Sequence, residues 1–272
     1  MKKQSVLVTG CSHGGIGYAT AVHLKELGHQ VFTSARKQKD VDALNAEGFE
    51  TYLIDVTEYQ SIDNALENIL NKTNGTLDVV FNNAGYGQAG ALEDIKTKYL
   101  KEQFETNFFG LHYLTTKALK IMRKQGYGKI IQHSSVLGLV SMKYRGAYNA
   151  SKYAIEGLTD TMRLELQGSN IFMTSLNTGP ITSKFRENSI KTIKNINYEN
   201  SAHKNDYARI LVRQNKPIPF NEPALSVAKV VEKIINSNKP KPRYYITKAT
   251  WIMAILKRIL STSTLDKILK KY

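Results

Sequence analysis

Two rhythms of apolar and polar residues alternate along most of this chain. Short, solid apolar runs cover residues 5–9, 30–35, 50–54, 77–81, 129–133 and 171–176. Between them lie stretches of helical spacing at 15–27, 41–47, 58–72, 98–124 and 148–166. In 58–72, for example, Ile62, Ala65, Leu66, Ile69 and Leu70 fall at i, i+3 and i+4. Solid runs of strand length read as strands buried on both faces, and the longer spaced stretches read as amphipathic helices. Gly28 and Gly48 follow the first two helices as stop signals. Strands alternating with helices predict an α/β fold, a parallel sheet covered by helices on both faces.

Past residue 176 the rhythm weakens. Residues 183–220 are polar, basic and poorly periodic. A helix is predicted over 223–236, a short strand over 244–246 and an amphipathic helical tail over 251–269. No linker or repeat divides the chain, so 1–248 is expected to form one domain, with 249–272 as its tail.

Composition narrows the picture only slightly. Of 272 residues, 42% are hydrophobic and 22% charged, which excludes wholesale disorder. Lys+Arg number 38 against 23 Asp+Glu, a net charge of +15. Lys outnumbers Arg 29 to 9, so AT-rich codon usage accounts for the charge as readily as an anionic ligand or membrane surface does. Basic and aromatic residues do not interleave as a base-stacking platform requires, and no nucleic acid is expected. The single cysteine, Cys11, excludes a disulfide framework and a cysteine-based zinc site, and no metal site is expected. It fits a reducing compartment. Met1-Lys2-Lys3 and the small residues before Cys11 imitate a lipoprotein signal. The apolar run Val6 to Val8 is far short of the roughly 7–15 residues an export signal needs. No stretch approaches the roughly 20 apolar residues of a membrane span. The cytoplasm is the expected location.

The candidate chemistry sits at the ends of the predicted strands. Thr9-Gly10-Cys11-Ser12-His13-Gly14-Gly15-Ile16-Gly17 joins the first strand to the first helix. Glycines there allow a tight turn and a close approach of backbone to a pyrophosphate, which the helix N-terminus then attracts. The second strand ends Ala35-Arg36-Lys37. An acidic residue would hold a ribose 2′-hydroxyl at that place, whereas arginine without a carboxylate suits a 2′-phosphate, so NADP is read over NAD. Tyr148 and Lys152 stand at i and i+4 on one helix face, where an ammonium would favour phenolate and lower the tyrosine pKa. Asn82-Asn83-Ala84-Gly85 follows the fourth strand, Asn107 lies in the long helix, Ser134-Ser135 ends the fifth strand, and Asn177-Thr178-Gly179-Pro180-Ile181-Thr182 follows the sixth.

Together these motifs resemble the short-chain dehydrogenase/reductase family in its compact branch, over residues 4–182 and more loosely to 246. The narrower likeness is to NADP-dependent aldehyde and ketone reductases related to retinol and 17β-hydroxysteroid dehydrogenases and to acyl-dihydroxyacetone-phosphate reductases. It rests on the Gly-Cys-Ser turn, Ser-Ser-Val-Leu-Gly-Leu and Arg-Gly-Ala-Tyr-Asn-Ala-Ser-Lys-Tyr-Ala. The resemblance implies a Rossmann-type doubly wound sheet of about seven strands and an oxidoreductase using NADP(H). In it Tyr148 gives a proton to a carbonyl oxygen and Ser135 polarises that carbonyl. Lys152 lowers the Tyr148 pKa and holds the nicotinamide ribose, while Asn107 holds a water in a relay to Lys152. Gly10, Gly15, Ile16 and Gly17 would meet the cofactor, as would Arg36, Lys37, Asp55, Val56, Asn83, Ala84, Gly85, Pro180, Ile181 and Thr182.

Two departures stand out. Four residues rather than the family's three separate Gly10 from Gly15, which brings Ser12 or His13 toward the 2′-phosphate. Asn177-Thr178 precedes Gly179, where the family often has a proline. Residues 183–220 match the family's variable substrate lid. The expected partners are an apolar carbonyl or alcohol substrate, reacting in either direction, and a second or fourth copy of the chain, as a homodimer or homotetramer. The tail, with Trp251, Ile252, Ile255 and Ile259 beside Lys257 and Arg258 and a cluster of Lys267, Lys270 and Lys271, either packs on protein or lies on the inner face of a membrane. Packing is the favoured reading. The alternatives to a reductase are a catalytically idle NADP-binding regulator and a basic, peripheral membrane-binding protein.

Overall fold

A computed structural model describes residues 3–212 and 217–270. Met1, Lys2, Lys271 and residues 213–216 of the expected lid lie outside the described residues.

Seven parallel strands form the main sheet. They are β1 (Ser5–Val8), β2 (Gln30–Ala35), β3 (Glu50–Leu53), β4 (Val79–Asn82), β5 (Gly128–Ser135), β6 (Ile171–Thr178) and, after the short β7 (Ile181–Thr182) and β8 (Glu222–Pro223), β9 (Arg243–Ile246). Their order is β3-β2-β1-β4-β5-β6-β9. The chain builds outward from β1 in one direction, then returns to its other side with β4. That reversal opens a crevice at the carboxyl ends of β1 and β4, where such sheets take ligands.

Alternate strand residues feed two core layers. Val6, Val8, Val31 and Val79 pack on one face with α1 (Ile16–Glu26), α2 (Gln38–Ala46) and α9 (Ala224–Asn236). Leu7, Phe32, Val80 and Ile130 pack on the other with α3 (Tyr59–Lys72), α5 (Gly110–Gln125) and the end of α6 (Gly146–Glu165). α3 buries Ile62, Ala65, Leu66 and Ile69, as its spacing predicts.

Three expectations need correction. The long helix predicted over 98–124 is broken: α4 (Thr97–Phe104) passes into a π-turn at Glu105–Phe109 before α5 begins. Within the polar stretch 183–220, where the pattern predicts no element, lie α7 (Phe185–Lys191), a 3₁₀ turn at Thr192–Asn195 and α8 (Lys204–Val212). They gather Ile190, Ile193, Ile196 and Tyr207 into a small core of their own. The tail is two helices, α10 (Lys248–Ile259) and α11 (Thr262–Leu269), because Leu260 is extended and Ser261 caps the second. Thr250 and Ala254 tuck α10 against the domain, and Trp251, Ile252, Ile255 and Ile259 are exposed. No helix among the described residues is long and apolar enough to cross a membrane.

Candidate active site

The glycine turn shapes the floor of the crevice. Gly10 (φ +71) and Gly14 (φ +76) take left-handed conformations, so the extra residue in the turn is absorbed at Gly14 without strain. A Cβ on residue 17 would fall 2.5 Å from the Gly10 carbonyl oxygen, so the helix can approach this closely only with glycine. Gly15 is the N-cap of α1 and offers no side chain to its first N–H groups. Those donors and the helix dipole are therefore free for an anion such as a pyrophosphate, and a dinucleotide fits here. Asn83 seals the crevice. Its Nδ2 donates to the Thr9 and Gly10 carbonyls at 2.8 and 3.1 Å, while the Asn83 and Ala84 backbone N–H groups both donate to Thr9 Oγ1.

Around this floor the other expected cofactor residues fall at the carboxyl end of the sheet. Arg36 and Lys37 are exposed just after β2. Asp55 folds a local turn by accepting from the Thr57 N–H and hydroxyl, and Val56 beside it is buried. Gly85 abuts Asn107. Pro180, Ile181 and Thr182 are held by the β7–β8 pairing and by Asn221, whose Nδ2 donates to Thr182 Oγ1 at 2.5 Å. Ser12 and His13 turn toward α2: Ser12 Oγ donates to Asp40 at 2.9 Å, and His13 pairs with Glu47.

The catalytic candidates converge where β5 ends and α6 begins. β5 runs two residues past its predicted end and carries Ser135, whose Oγ accepts from the Leu137 N–H at 3.1 Å. Tyr148, in the first turn of α6, is buried and hydrogen-bonded to Ser135. One turn on, Lys152 donates from Nζ to the His133 carbonyl at 2.6 Å, with Nζ 5.5 Å from the centre of the Tyr148 ring. Asn107 occupies the π-turn, where the wider coil aims its side chain at the strap after β4. Its Oδ1 accepts from the Tyr86 N–H at 3.0 Å, and its Nδ2 donates to the Tyr86 carbonyl at 2.9 Å and to Ser151 Oγ at 3.2 Å.

Electrostatics correct one expectation. The Tyr148 phenol does not lie below its ordinary value. Burial pushes it up to about 12, and the Ser135 hydrogen bond and the Arg145 charge pull against that rise. Burial also brings the Lys152 ammonium down to about 8, with the Glu156 carboxylate holding it up. His133 is brought down to about 3 by burial and by Lys152, so it is neutral. Asn83 Nδ2 donates elsewhere, so Oδ1 faces the imidazole. His133 Nδ1–H donates to that oxygen at 2.9 Å, which leaves Nε2 to accept from Thr178 Oγ1 at 3.2 Å. His133 is thus a brace across β4, β5 and β6.

A family model for short chain dehydrogenases matches residues 4–194. The chain belongs to the short-chain dehydrogenases. It is an oxidoreductase of that family, whose members bind a nicotinamide cofactor. An uncharacterized oxidoreductase of Escherichia coli, YbbO, is 40% identical over 98% of this chain and 94% of its own length. The NADPH-dependent 1-acyldihydroxyacetone phosphate reductase of Schizosaccharomyces pombe is 29% identical over 78% of this chain and 72% of its own. A short-chain dehydrogenase from Streptomyces avermitilis superposes with a TM-score of 0.79 at 25% identity, covering 99% and 94% of the two chains.

Sequence reasoning passed over several residues of this short-chain dehydrogenase. Asn177, flagged only as part of the departure before Gly179, is buried and donates to the Ser135 carbonyl at 3.3 Å and to Glu156 at 2.7 Å. Glu156 also accepts from Ser175 Oγ and Arg243 Nε, and Arg243 reaches Asp160 as well. Phe185, on the lid, sets its ring 5.2 Å from that of Tyr148. Glu156 carried a readable signal, since it lies one turn past Lys152 on the same face.

Proposed function

We propose that this protein is an NADPH-dependent reductase of aldehydes or ketones with an apolar, lipid-like body, running in reverse as an alcohol dehydrogenase. The observation that carries the reading is the convergence of Ser135, Tyr148 and Lys152 beside an uncapped, glycine-floored crevice. Gly10, Gly15, Ile16, Gly17, Asn83, Ala84 and Gly85 would hold the dinucleotide. Asp55 and Val56 would meet its adenine end, and Pro180, Ile181 and Thr182 its nicotinamide end. Arg36 and Lys37 favour NADP(H), since the second strand ends in Ala35 with no carboxylate at 35–37. Ser12 and His13 complete that edge.

When bound, the nicotinamide supplies or accepts the hydride. Ser135 Oγ donates to the substrate carbonyl and fixes its oxygen next to Tyr148. The Tyr148 phenol, raised to about 12, is fully protonated at neutral pH and gives its proton to the oxygen as negative charge gathers there. The Lys152 ammonium, positive below about pH 8, offsets the phenolate left behind. Asn107, locked on Tyr86 and Ser151, stands on the Lys152 side of α6, where a relayed water would resupply the proton. The exposed Phe185 ring next to Tyr148 provides apolar cover for the substrate body. Assembly into a homodimer or homotetramer belongs to the same proposal, with the exposed α10 face packed on protein and the inner surface of a membrane as its alternative partner.

The test is NADPH oxidation with a panel of medium- and long-chain aldehydes and ketones, with NADH and Tyr148→Phe as controls. Turnover with NADPH well above NADH, abolished by Tyr148→Phe, is expected. Failure to bind either nucleotide would overturn the reading.

A further inference from the structure

Arg145 stands three residues before Tyr148, at the N-cap of α6. Its backbone is fixed: it bridges Gly90 in a short parallel contact, and its carbonyl accepts from the Asn149 N–H at 2.7 Å. Its half-buried side chain crosses to the lid, where Nη1 donates to the hydroxyl of Ser189, itself fully buried. Gly87 closes the same spot from behind, since a Cβ there would fall 3.0 Å from Phe185 and 3.2 Å from Ser189 Oγ. The guanidinium thus sits where the catalytic helix, the strap after β4 and the lid meet.

What it lacks is a counter-ion. Among the described residues no carboxylate pairs with Arg145, whereas Arg163 and Arg243, also half-buried, each hold one. The charges that act on Arg145 are Arg186, a second cation on the lid, and the Tyr148 phenol. Nε and Nη2 donate to nothing among the described residues, so two arms of a planar fork remain free. A half-buried cation without an anion is costly, and burial lowers its affinity for the proton, as does Arg186. A guanidinium fork binds an oxyanion bidentately.

We propose that Arg145 is a substrate-binding residue for an anionic oxyacid group, phosphate, sulfonate or carboxylate, carried by the carbonyl substrate close to its reacting carbon. The inference rests on the reductase reading and narrows its substrate class. The anion satisfies Arg145, is attracted by Arg186, and leaves the apolar body of the substrate to Phe185.

Calorimetric titration of the NADPH-loaded protein tests it with two matched pairs: hydroxyacetone phosphate against hydroxyacetone, and 4-oxopentanoate against its methyl ester. The anionic member of at least one pair is expected to bind about tenfold to a hundredfold tighter. Which pair shows the larger ratio tells phosphate from carboxylate. In Arg145→Gln that ratio should collapse toward one, and in Arg145→Lys part of it should remain, with NADPH binding retained as the check on folding. Equal affinity within both pairs, no binding of either anion at millimolar concentration, or a ratio unchanged in Arg145→Gln would overturn the proposal. An Arg145→Gln effect as large on the neutral members would also overturn it, since that would place Arg145 on Tyr148 rather than on the substrate. Anion-selective binding without NADPH oxidation would support the subsite while counting against the reductase reading.

Discussion

Helix α6 carries a charged cluster on each side of Lys152, and the two are built oppositely. Toward β6 and β9, Glu156 accepts from Ser175, Asn177 and Arg243, and Asp160 takes the second arm of Arg243, so each charge there has an opposite. Toward the lid, Arg145 faces another arginine and the phenol of Tyr148. A buried ion cluster with its partners in place holds structure together. A half-buried cation without one weakens the fold it sits in, and such groups concentrate where a ligand completes them.

The largest effect that sharpens this contrast is on rate. Tyr148→Phe removes the phenol proton proposed for the substrate oxygen and should cut turnover about 10²- to 10⁴-fold while NADPH still binds, as single-turnover and binding measurements would show. Next comes stability. Glu156→Gln removes the buried carboxylate that Ser175, Asn177 and Arg243 share, leaves Arg243 with Asp160 alone, and should lower unfolding free energy by about 2 kcal/mol in denaturant titrations. Arg145→Gln should leave stability unchanged or raise it slightly. If both variants lost the same amount, the two clusters would be alike and the contrast would fail.

Smaller still is the cofactor edge. Arg36→Ala should weaken NADPH binding about tenfold to a hundredfold and leave NADH binding nearly as it was. The smallest effect is a shift in pH dependence. Lys152 loses its charge as pH rises through about 8, so carbonyl reduction should decline along an alkaline limb there. The Glu156 carboxylate favours the ammonium, so Glu156→Gln should move that limb to lower pH. A limb that stayed in place would uncouple Glu156 from the site.

The same division marks how far the sequence could be read. Ser135, Tyr148, Lys152 and the glycine turn are local in the chain, and the strand ends that hold them are solid apolar runs. Asn107 was legible as a residue but its π-turn was not, because the change of coil depends on Tyr86 from a distant strap. The lid helices were hidden by their lysines, since the few apolar residues that fold them, Ile190, Ile193, Ile196 and Tyr207, are too sparse to set a period. Arg145 stood in a motif that pointed to the family, yet its missing partner is a fact of three dimensions. The Tyr148 pKa was read in the wrong direction because a neighbouring lysine is visible in sequence, whereas the burial that outweighs it is not.

The π-turn at Glu105–Phe109 has a consequence for how this helix can change over time. A π-turn closes each hydrogen bond one residue later than an α-turn, so it holds one residue more than the regular coil needs. Loss of a single codon there would let α4 and α5 join as an unbroken helix. The same deletion would leave the flanking helices in phase and remove only the wide turn that aims Asn107 at Tyr86 and Ser151. A lineage that kept the scaffold but no longer needed the reaction could shed the irregularity in one step.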